Sequence, residues 1–276
     1  MADPLAQKVE PGTDVDLADY PTDARGGLDK SEARKLIAPL LAELNELQAL
    51  MWGAGTHALL VVLQGRDAAG KDGLINHVLN AVNPQGLSIT DFKVPSAEEA
   101  SHDFLWRIHK AAPARGIVGV YNRSQYEQVL VVRVHKLAPT EQIEAAYGQI
   151  NDYERLLTET GTILAKFFLH LSKDEQRRRL LAREKDVSKA WKLNPGDWAE
   201  RAYWDEYTAA YEAALSRCST EAAPWYILPA DHKWAAQLAL AQALTATLRP
   251  YRQGWLDKLT ELQKKMLDEL SQIEKT

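Results

Sequence analysis

Residues 65–73 read Gly65-Arg66-Asp67-Ala68-Ala69-Gly70-Lys71-Asp72-Gly73, a glycine-bounded loop closed by a lysine. The apolar run Ala58-Leu59-Leu60-Val61-Val62-Leu63 precedes it, and a helical pattern from Lys71 to Val82 follows. Strand, tight loop and helix in that order are the context a G-x-x-x-x-G-K phosphate loop requires. Gly65 and Gly70 let backbone N–H groups turn inward around phosphate oxygens, and Lys71 adds a mobile positive charge. Arg66, Ala68, Ala69 and Gly73 complete the candidate phosphate cradle. Asp72 stands where an ordinary nucleotide loop has Ser or Thr to hold Mg²⁺, and Asp67 puts a second carboxylate inside the loop. Two acids among phosphates repel their ligand unless a divalent metal lies between them. The loop therefore implies phosphoryl transfer with an unusual arrangement of metal and phosphate. As a bland alternative, Asp72 is an acid in a first helical turn, where the helix dipole favours it.

Around this loop the hydrophobic pattern alternates. Leucines at helical spacing (Leu36, Leu40, Leu44, Leu47) predict a helix from Lys30 to Trp52 with Asp29 as N-cap. Strand 58–64 then leads into helix 70–82, strand 88–94 into helix 97–112, and strand 117–121 into helix 125–137. Helix 140–159 precedes strand 162–171, and strand 225–228 precedes helix 232–247. Strands separated by helices predict an α/β, three-layer architecture, a parallel sheet covered on both faces. Residues 29–249 form this unit. Residues 172–216 interrupt it as a helical lid without a strand signal. Residues 1–28, with Pro4, Pro11, Pro21 and Gly26-Gly27 among scattered acids, read as an extended or poorly ordered arm. Residues 250–276 form a C-terminal helix with Leu256, Leu259, Leu262, Met266, Leu270 and Ile273 on one face. That face packs on its own domain or pairs with a second copy.

The net charge of −5 excludes a general nucleic-acid footprint, since the arm's six acids against Lys8 and Arg25 supply −4 of it. One cysteine, Cys218, excludes an internal disulfide and a cysteine-rich zinc site. No apolar run reaches membrane-spanning length and no basic-then-apolar signal opens the chain, so the expectation is a cytoplasmic enzyme without a membrane partner.

Two further constellations belong with the loop. The strand Ile117-Val118-Gly119-Val120-Tyr121 ends in Asn122-Arg123-Ser124-Gln125-Tyr126-Glu127. Ligands of open α/β sheets lie beyond the carboxyl ends of strands, which places Asn122 and Arg123 beside the loop. Asn122 can ligate a metal or hydrogen-bond phosphate, and Arg123 offers a planar fork for phosphate oxygens. Ser124 and Glu127 form either a capping box or, for Glu127, part of an acceptor site. Lys173 to Lys192 hold eight basic residues against four acids. A charge run of this kind is usually a solvated helix face. Lying between the later strands, it can also close over phosphates, with Arg179 and Arg183 sharing a helix face. The aromatic run Trp191…Trp198…Tyr203-Trp204 either stacks on a base or packs in a core. The seven histidines form no pair at metal-ligand spacing.

Together three blocks resemble the polyphosphate kinase 2 family over Lys30 to Arg249. They are Gly65 to Gly73; Tyr121 to Glu127 running on to Val132-Arg133-Val134-His135; and Trp191-Lys192 with Glu200-Arg201-Ala202-Tyr203-Trp204-Asp205. The segment Ala223-Pro224-Trp225-Tyr226…Pro229-Ala230-Asp231…Lys233-Trp234 is similar to the family as well. The resemblance implies a thymidylate-kinase-like fold with a lid over a channel. It implies reversible phosphoryl transfer between inorganic polyphosphate and nucleoside mono-, di- and triphosphates, with Mg²⁺ or Mn²⁺. It makes Asp67 the metal-binding acid, Lys71 the phosphate lysine, and Arg123 and Arg183 the phosphate-binding arginines. Asn122 stands where the family commonly has Asp, which shifts metal binding toward Asp67. Glu127 and the run Val129 to Arg133 are similar to the subgroup accepting AMP and ADP, with GMP and GDP as further acceptors. A homo-oligomer, dimer or tetramer, is implied too. The rival readings are an ATP-dependent nucleoside monophosphate kinase and a non-catalytic phosphate-loop module.

Overall fold

The computed structural model describes residues 4–273. Its centre is β2 (Ala58–Gly65), all eight residues of which are buried. Side chains alternate across it: Leu59, Val61 and Leu63 enter one core, Leu60 and Val62 the other. A continuous apolar run is what a strand covered on both faces needs. Five parallel strands and one antiparallel edge strand form a single sheet in the order β1-β6-β5-β2-β4-β3. The remaining strands are β1 (Gln7–Val9), β3 (Leu87–Asp91), β4 (Val118–Asn122), β5 (Thr162–His170) and β6 (Trp225–Pro229).

On one face lie α1 (Lys30–Ala54), α2 (Lys71–His77), α10 (Lys233–Leu248) and α11 (Arg252–Ile273). The other face carries α4 (Trp106–Lys110), α5 (Val131–Val134), α6 (Thr140–Glu159) and α9 (Trp204–Cys218), preceded by the short α3 (Ala97–Ala100). Asp29 caps α1 as expected: its carboxylate accepts from Ser31 and Glu32 N–H, while Glu32 reaches back to the Asp29 N–H. Gly55, at φ +61°, ends α1 in the left-handed region. No helix among the described residues is long and apolar enough to cross a membrane.

Three expectations change. Of the extended or poorly ordered arm expected over residues 1–28, residues 1–3 lie outside the described residues, and 4–28 are extended but docked. Val9 pairs with Trp225 across the open edge of β6, and Leu5, Val9, Val15 and Leu17 are buried. Ser219 Oγ donates to the Val9 carbonyl at 2.5 Å, and the Leu17 N–H donates to Glu212 at 2.9 Å. Those four apolar residues outweigh the acids between them. The helix expected over 97–112 is broken by a turn at 101–105, within which the Asp103 carboxylate accepts the Leu105 N–H at 2.9 Å. The helix expected over 125–137 is a 3-10 turn at Gln125–Gln128 followed by the short α5. Its β-branched run has low helix propensity, and Gln125 and Tyr126 are held in the core.

The interruption at 172–216 contains no strand, as expected. It holds α7 (Lys173–Glu184), a 3-10 turn at Val187–Lys192, α8 (Pro195–Ala199) and α9. Val187 and Trp191 are largely exposed, whereas α9 buries Ala210, Tyr211, Ala214 and Leu215 against the sheet. The lid therefore projects only in its middle.

Candidate active site

Because β2 lies between β4 and β5, their carboxyl ends and the loops that follow converge at one edge of the sheet. This is the switch point where open α/β sheets bind ligands. The loop from Gly65 to Lys71 turns there. A Cβ on Gly65 would sit 3.0 Å from Leu169 Cβ, so only glycine lets the loop leave β2 so close to β5. Gly70 has φ +111°, and Ala68 has φ +64°, a left-handed conformation that L side chains adopt at a cost. Strain held by its surroundings is a mark of a ligand-binding backbone.

Lys71 is buried, and its ammonium donates to the Gly65 carbonyl at 2.7 Å. Burial, and then the neighbouring Arg123 guanidinium, lower its pKa from the ordinary lysine value. Arg123 also has a left-handed backbone, φ +63°. Its guanidinium bridges Asp67 at 2.6 Å and Glu127 at 3.2 Å. Burial opposes its charge, but the Glu127 and Asp67 carboxylates more than offset this and raise its pKa. Glu127 thus pairs with Arg123 rather than closing a capping box. Ser124 caps the turn by accepting the Tyr126 N–H.

Asp72 is taken by two donors. Asn122 Nδ2 donates to its Oδ1 at 3.2 Å, and Lys192 from the lid donates to its Oδ2 at 2.8 Å. Burial pushes the carboxyl up, but the Lys192 and Asn122 interactions prevail and lower its pKa. A depressed carboxylate contributes stability above its unfolded pKa and loses it as pH falls through the folded value. This contact between lid and loop is accordingly a neutral-pH interaction. The Asn122 amide oxygen is buried without a hydrogen-bond partner, an orphan that a cation would satisfy. Among the described residues, no group of three His, Cys, Asp or Glu could hold a metal by itself. Mg²⁺ needs only one or two carboxylates with substrate phosphates and water. Asp67, Asp72 and the Asn122 oxygen fit that description.

Two expected phosphate ligands point elsewhere. Arg66 donates to the Trp204 carbonyl at 3.0 Å and to Thr208 at 2.5 Å, with its guanidinium 3.8 Å above the Trp204 ring. Burial pushes its pKa down to about 10. Trp204 is thereby stacked on an arginine. Arg179 is buried and all its donor groups are engaged. They reach Glu175, the Ala68 and Ala69 carbonyls of the loop, and the Ala230 and Asp231 carbonyls after β6. It buttresses the loop from behind. Arg183, one turn further, pairs with Asp197 at 2.9 Å. Gly73 lies within the first turn of α2 with open space around it.

Sequence reasoning missed Asp197 and Gln176. Asp197 is buried on α8. Burial, then the charge of Asp67, raise its pKa despite Arg183. Gln176 Nε2 donates to the Asp67 carbonyl at 3.0 Å and so ties α7 to the loop. Neither residue belongs to a motif, and only the folded lid brings them to the loop.

A family model described as polyphosphate kinase 2 matches residues 27–253. The chain belongs to the polyphosphate kinase 2 family. A crystal structure of polyphosphate kinase 2 from Arthrobacter aurescens TC1 superposes with a TM-score of 0.85 at 46% identity, covering 88% of each chain. An AMP/ADP-polyphosphate phosphotransferase of Meiothermus ruber is 42% identical over 243 residues, 87% of this chain and 91% of the relative. An ADP-polyphosphate phosphotransferase of Rhodopseudomonas palustris is 41% identical over 279 residues, 96% of each chain. The match to solved family structures agrees with the expected α/β phosphate-loop kinase fold.

Two spaces flank the site in this family member. Between loop and lid, a cleft of about 30 Å³ is bounded by Asp67, Arg123, Glu127, Gln176 and Tyr211. A groove of about 750 Å³ runs along β3 and α4, past Phe92, Lys93, Trp106, Arg107 and Lys110. The Phe92 N–H donates to the Asn122 carbonyl at 3.0 Å, so one end of the groove adjoins the Arg123 turn.

Proposed function

We propose that this chain is a polyphosphate-dependent nucleotide kinase that moves a phosphoryl group reversibly between inorganic polyphosphate and AMP or ADP. The observation that carries the reading is the convergence of Lys71, Arg123, Asp67 and the Asn122 oxygen at the mouth of one strained loop. Phosphoryl transfer asks little covalent chemistry of a protein. It asks for in-line positioning and for fixed charge where the transition state develops it. The loop N–H groups, Lys71 and Arg183 hold the terminal phosphates of the polyanion. Arg123 holds the acceptor phosphate, and an acceptor oxygen attacks the terminal phosphorus. One P–O bond forms, the anhydride bond to the next unit breaks, and the polymer leaves one unit shorter. Asp67, with Asp72 and the Asn122 oxygen, would hold Mg²⁺ or Mn²⁺, which would supply positive charge beside the phosphates.

The cleft beside Arg123 accommodates about one water by volume, too little for a nucleoside. The β3–α4 groove is within the usual range for small-molecule sites. We place the base and ribose there, with Glu127 steadying Arg123 for mono- and diphosphate acceptors alike. Incubation with Mg²⁺, long-chain polyphosphate and AMP or ADP separately, resolved by chromatography, tests the reading. ATP from both acceptors is the expected result, and guanine nucleotides extend the same assay. Product from one acceptor only overturns the broad-acceptor assignment. No product with polyphosphate, while ATP plus AMP gives ADP, replaces the reading with an ordinary nucleotide-driven kinase. Binding without transfer from either donor leaves a non-catalytic module.

The expected homo-oligomer forms through α11. Trp255, Leu256 and Leu259 are at least partly buried, but Leu262, Met266, Leu267 and Leu270 further along are exposed. Sedimentation is expected to give at least a dimer that Leu262→Glu with Met266→Glu converts to a monomer. An unmodified chain that sediments as a monomer would reject the pairing.

A further inference from the structure

Behind the Arg123 turn lies an ion pair that the proposed reaction does not use. Lys166, midway along β5, and Glu154, on α6, are both fully buried, with Nζ 2.5 Å from Oε2. The Lys166 ammonium also donates to the Tyr126 hydroxyl at 2.9 Å and to the Cys218 carbonyl at 2.5 Å. Glu154 Oε1 accepts from the Tyr126 hydroxyl at 2.7 Å and from Gln125 Nε2 at 3.0 Å. The hydroxyl of Tyr126 thus donates to the acid and accepts from the amine. Tyr126 itself is fully buried, its ring edge against Trp225.

A buried ion pair is a poor way to stabilise a core, because desolvation of two charges offsets their attraction. Apolar replacements of like volume are often as stable or more so. What such a pair does supply is direction: each of its hydrogen bonds fixes a distance and an angle. Here three of the bonds that leave the pair run to Gln125 and Tyr126, which lie between Arg123 and Glu127, and the fourth runs to the Cys218 carbonyl. Ser124 is fastened separately, accepting from Gln64 Nε2 of β2 at 3.0 Å. The turn is therefore pinned from below by β2, β5 and α6. Its two outward residues, Arg123 and Glu127, meet above it in a salt bridge.

We propose that the buried Lys166–Glu154–Tyr126 network is a positioning device for the phosphate-binding turn, holding Arg123 in its left-handed backbone and its guanidinium toward the loop. The proposal rests on the functional reading above, in which Arg123 holds the acceptor phosphate. Lys166, Glu154 and Tyr126 touch no substrate and act through Arg123.

Tyr126→Phe is the mildest probe, since it keeps the ring and the ion pair and removes one hydroxyl. Misplacing a positioned group by an ångström costs up to about a hundredfold in rate, so kcat is expected to fall about tenfold or more. KM for polyphosphate, which is held by Lys71 and the lid, is expected to stay within about twofold, because Arg123 holds the acceptor and not the polymer. In an Arg123→Lys background the same substitution is expected to cost less than about twofold, because residues acting through one group are not additive. Glu154→Gln, which keeps shape but removes the charge, should repeat the pattern in the folded fraction. An unchanged kcat per folded molecule in Tyr126→Phe overturns the proposal, as does an equal loss in both backgrounds. If the unmodified protein transfers no phosphate, the functional reading has failed, and calorimetric binding of AMP then judges the network alone. Weakening of about tenfold by Tyr126→Phe supports it through Arg123, and unchanged affinity rejects it.

Discussion

Lys71→Ala is expected to leave a folded protein whose phosphoryl transfer is slower by about a thousandfold, the scale of losing one fixed charge-stabilising donor from a dry site. The ammonium sits in the mouth of the loop, 2.7 Å from the Gly65 carbonyl. Burial already penalises its charge, and Arg123 repels it, so its removal relieves the folded state of an unfavourable term. Midpoint temperature is therefore expected to stay close to the unmodified value while activity collapses. Asp67→Asn is expected to behave likewise and to weaken the metal dependence of the rate. It removes a hard oxygen charge and leaves Arg123 paired with Glu127. Near-normal kcat in either variant, with thermal stability measured alongside, would remove the loop from the chemistry.

The second large effect separates two arginines that sit four residues apart on one helix. Arg179→Ala is expected to unfold the site, and Arg183→Ala only to disarm it. Truncating Arg179 strips donors from four buried or half-buried carbonyls and from Glu175. Glu175 keeps its pair with Arg178, but the unsatisfied buried acceptors together cost on the order of 3–5 kcal/mol. For a chain of this size that lowers the midpoint by about 10 °C. Arg183 is more exposed, and its guanidinium pairs with Asp197. Its loss is expected to shift the midpoint little while lowering kcat about a hundredfold, the scale of losing one charge on the transferring phosphates. The Asp197 carboxyl, already raised by burial and by Asp67, then loses its counter-charge. A raised carboxylate contributes stability at low pH and loses it as pH rises through the folded value, so Arg183→Ala should be relatively more stable in acid. Differential scanning calorimetry with kinetics at matched folded fraction checks both variants. Equal stability of the two would show that Arg179 does not carry the loop.

Much of the site was legible because its determinants are local. Gly65 and Gly70 with Lys71 specify a turn whose meaning depends only on the strand before and the helix after. Asn122 and Arg123 follow a strand end, and strand ends in a parallel sheet have a known polarity. Arg123 and Glu127 could be named as residues, but their ion pair could not, because Ser124 offered Glu127 an equally good local role in a capping box. The lid was legible as a break in alternation. Its contacts, Lys192 to Asp72 and Arg183 to Asp197, cross 120 and 14 residues of chain.

The arginines show where a sequence stops. Arg66, Arg179 and Arg183 read alike as cations near a phosphate loop, yet each faces a different partner. A guanidinium on a flexible stem goes to the densest set of acceptors within reach. For Arg179 those are carbonyls from the ends of β2 and β6, which meet only in the folded chain. The same holds for Leu5, Val9, Val15 and Leu17, whose burial needed an open edge on β6 that no local pattern announces. By itself, the sequence determined the parallel sheet, the phosphate loop and the family, because apolar periodicity and glycine spacing act over a few residues. Which charges face the phosphates and which hold the scaffold was decided by tertiary structure, because buried acceptors that claim a cation exist only once distant segments are brought together.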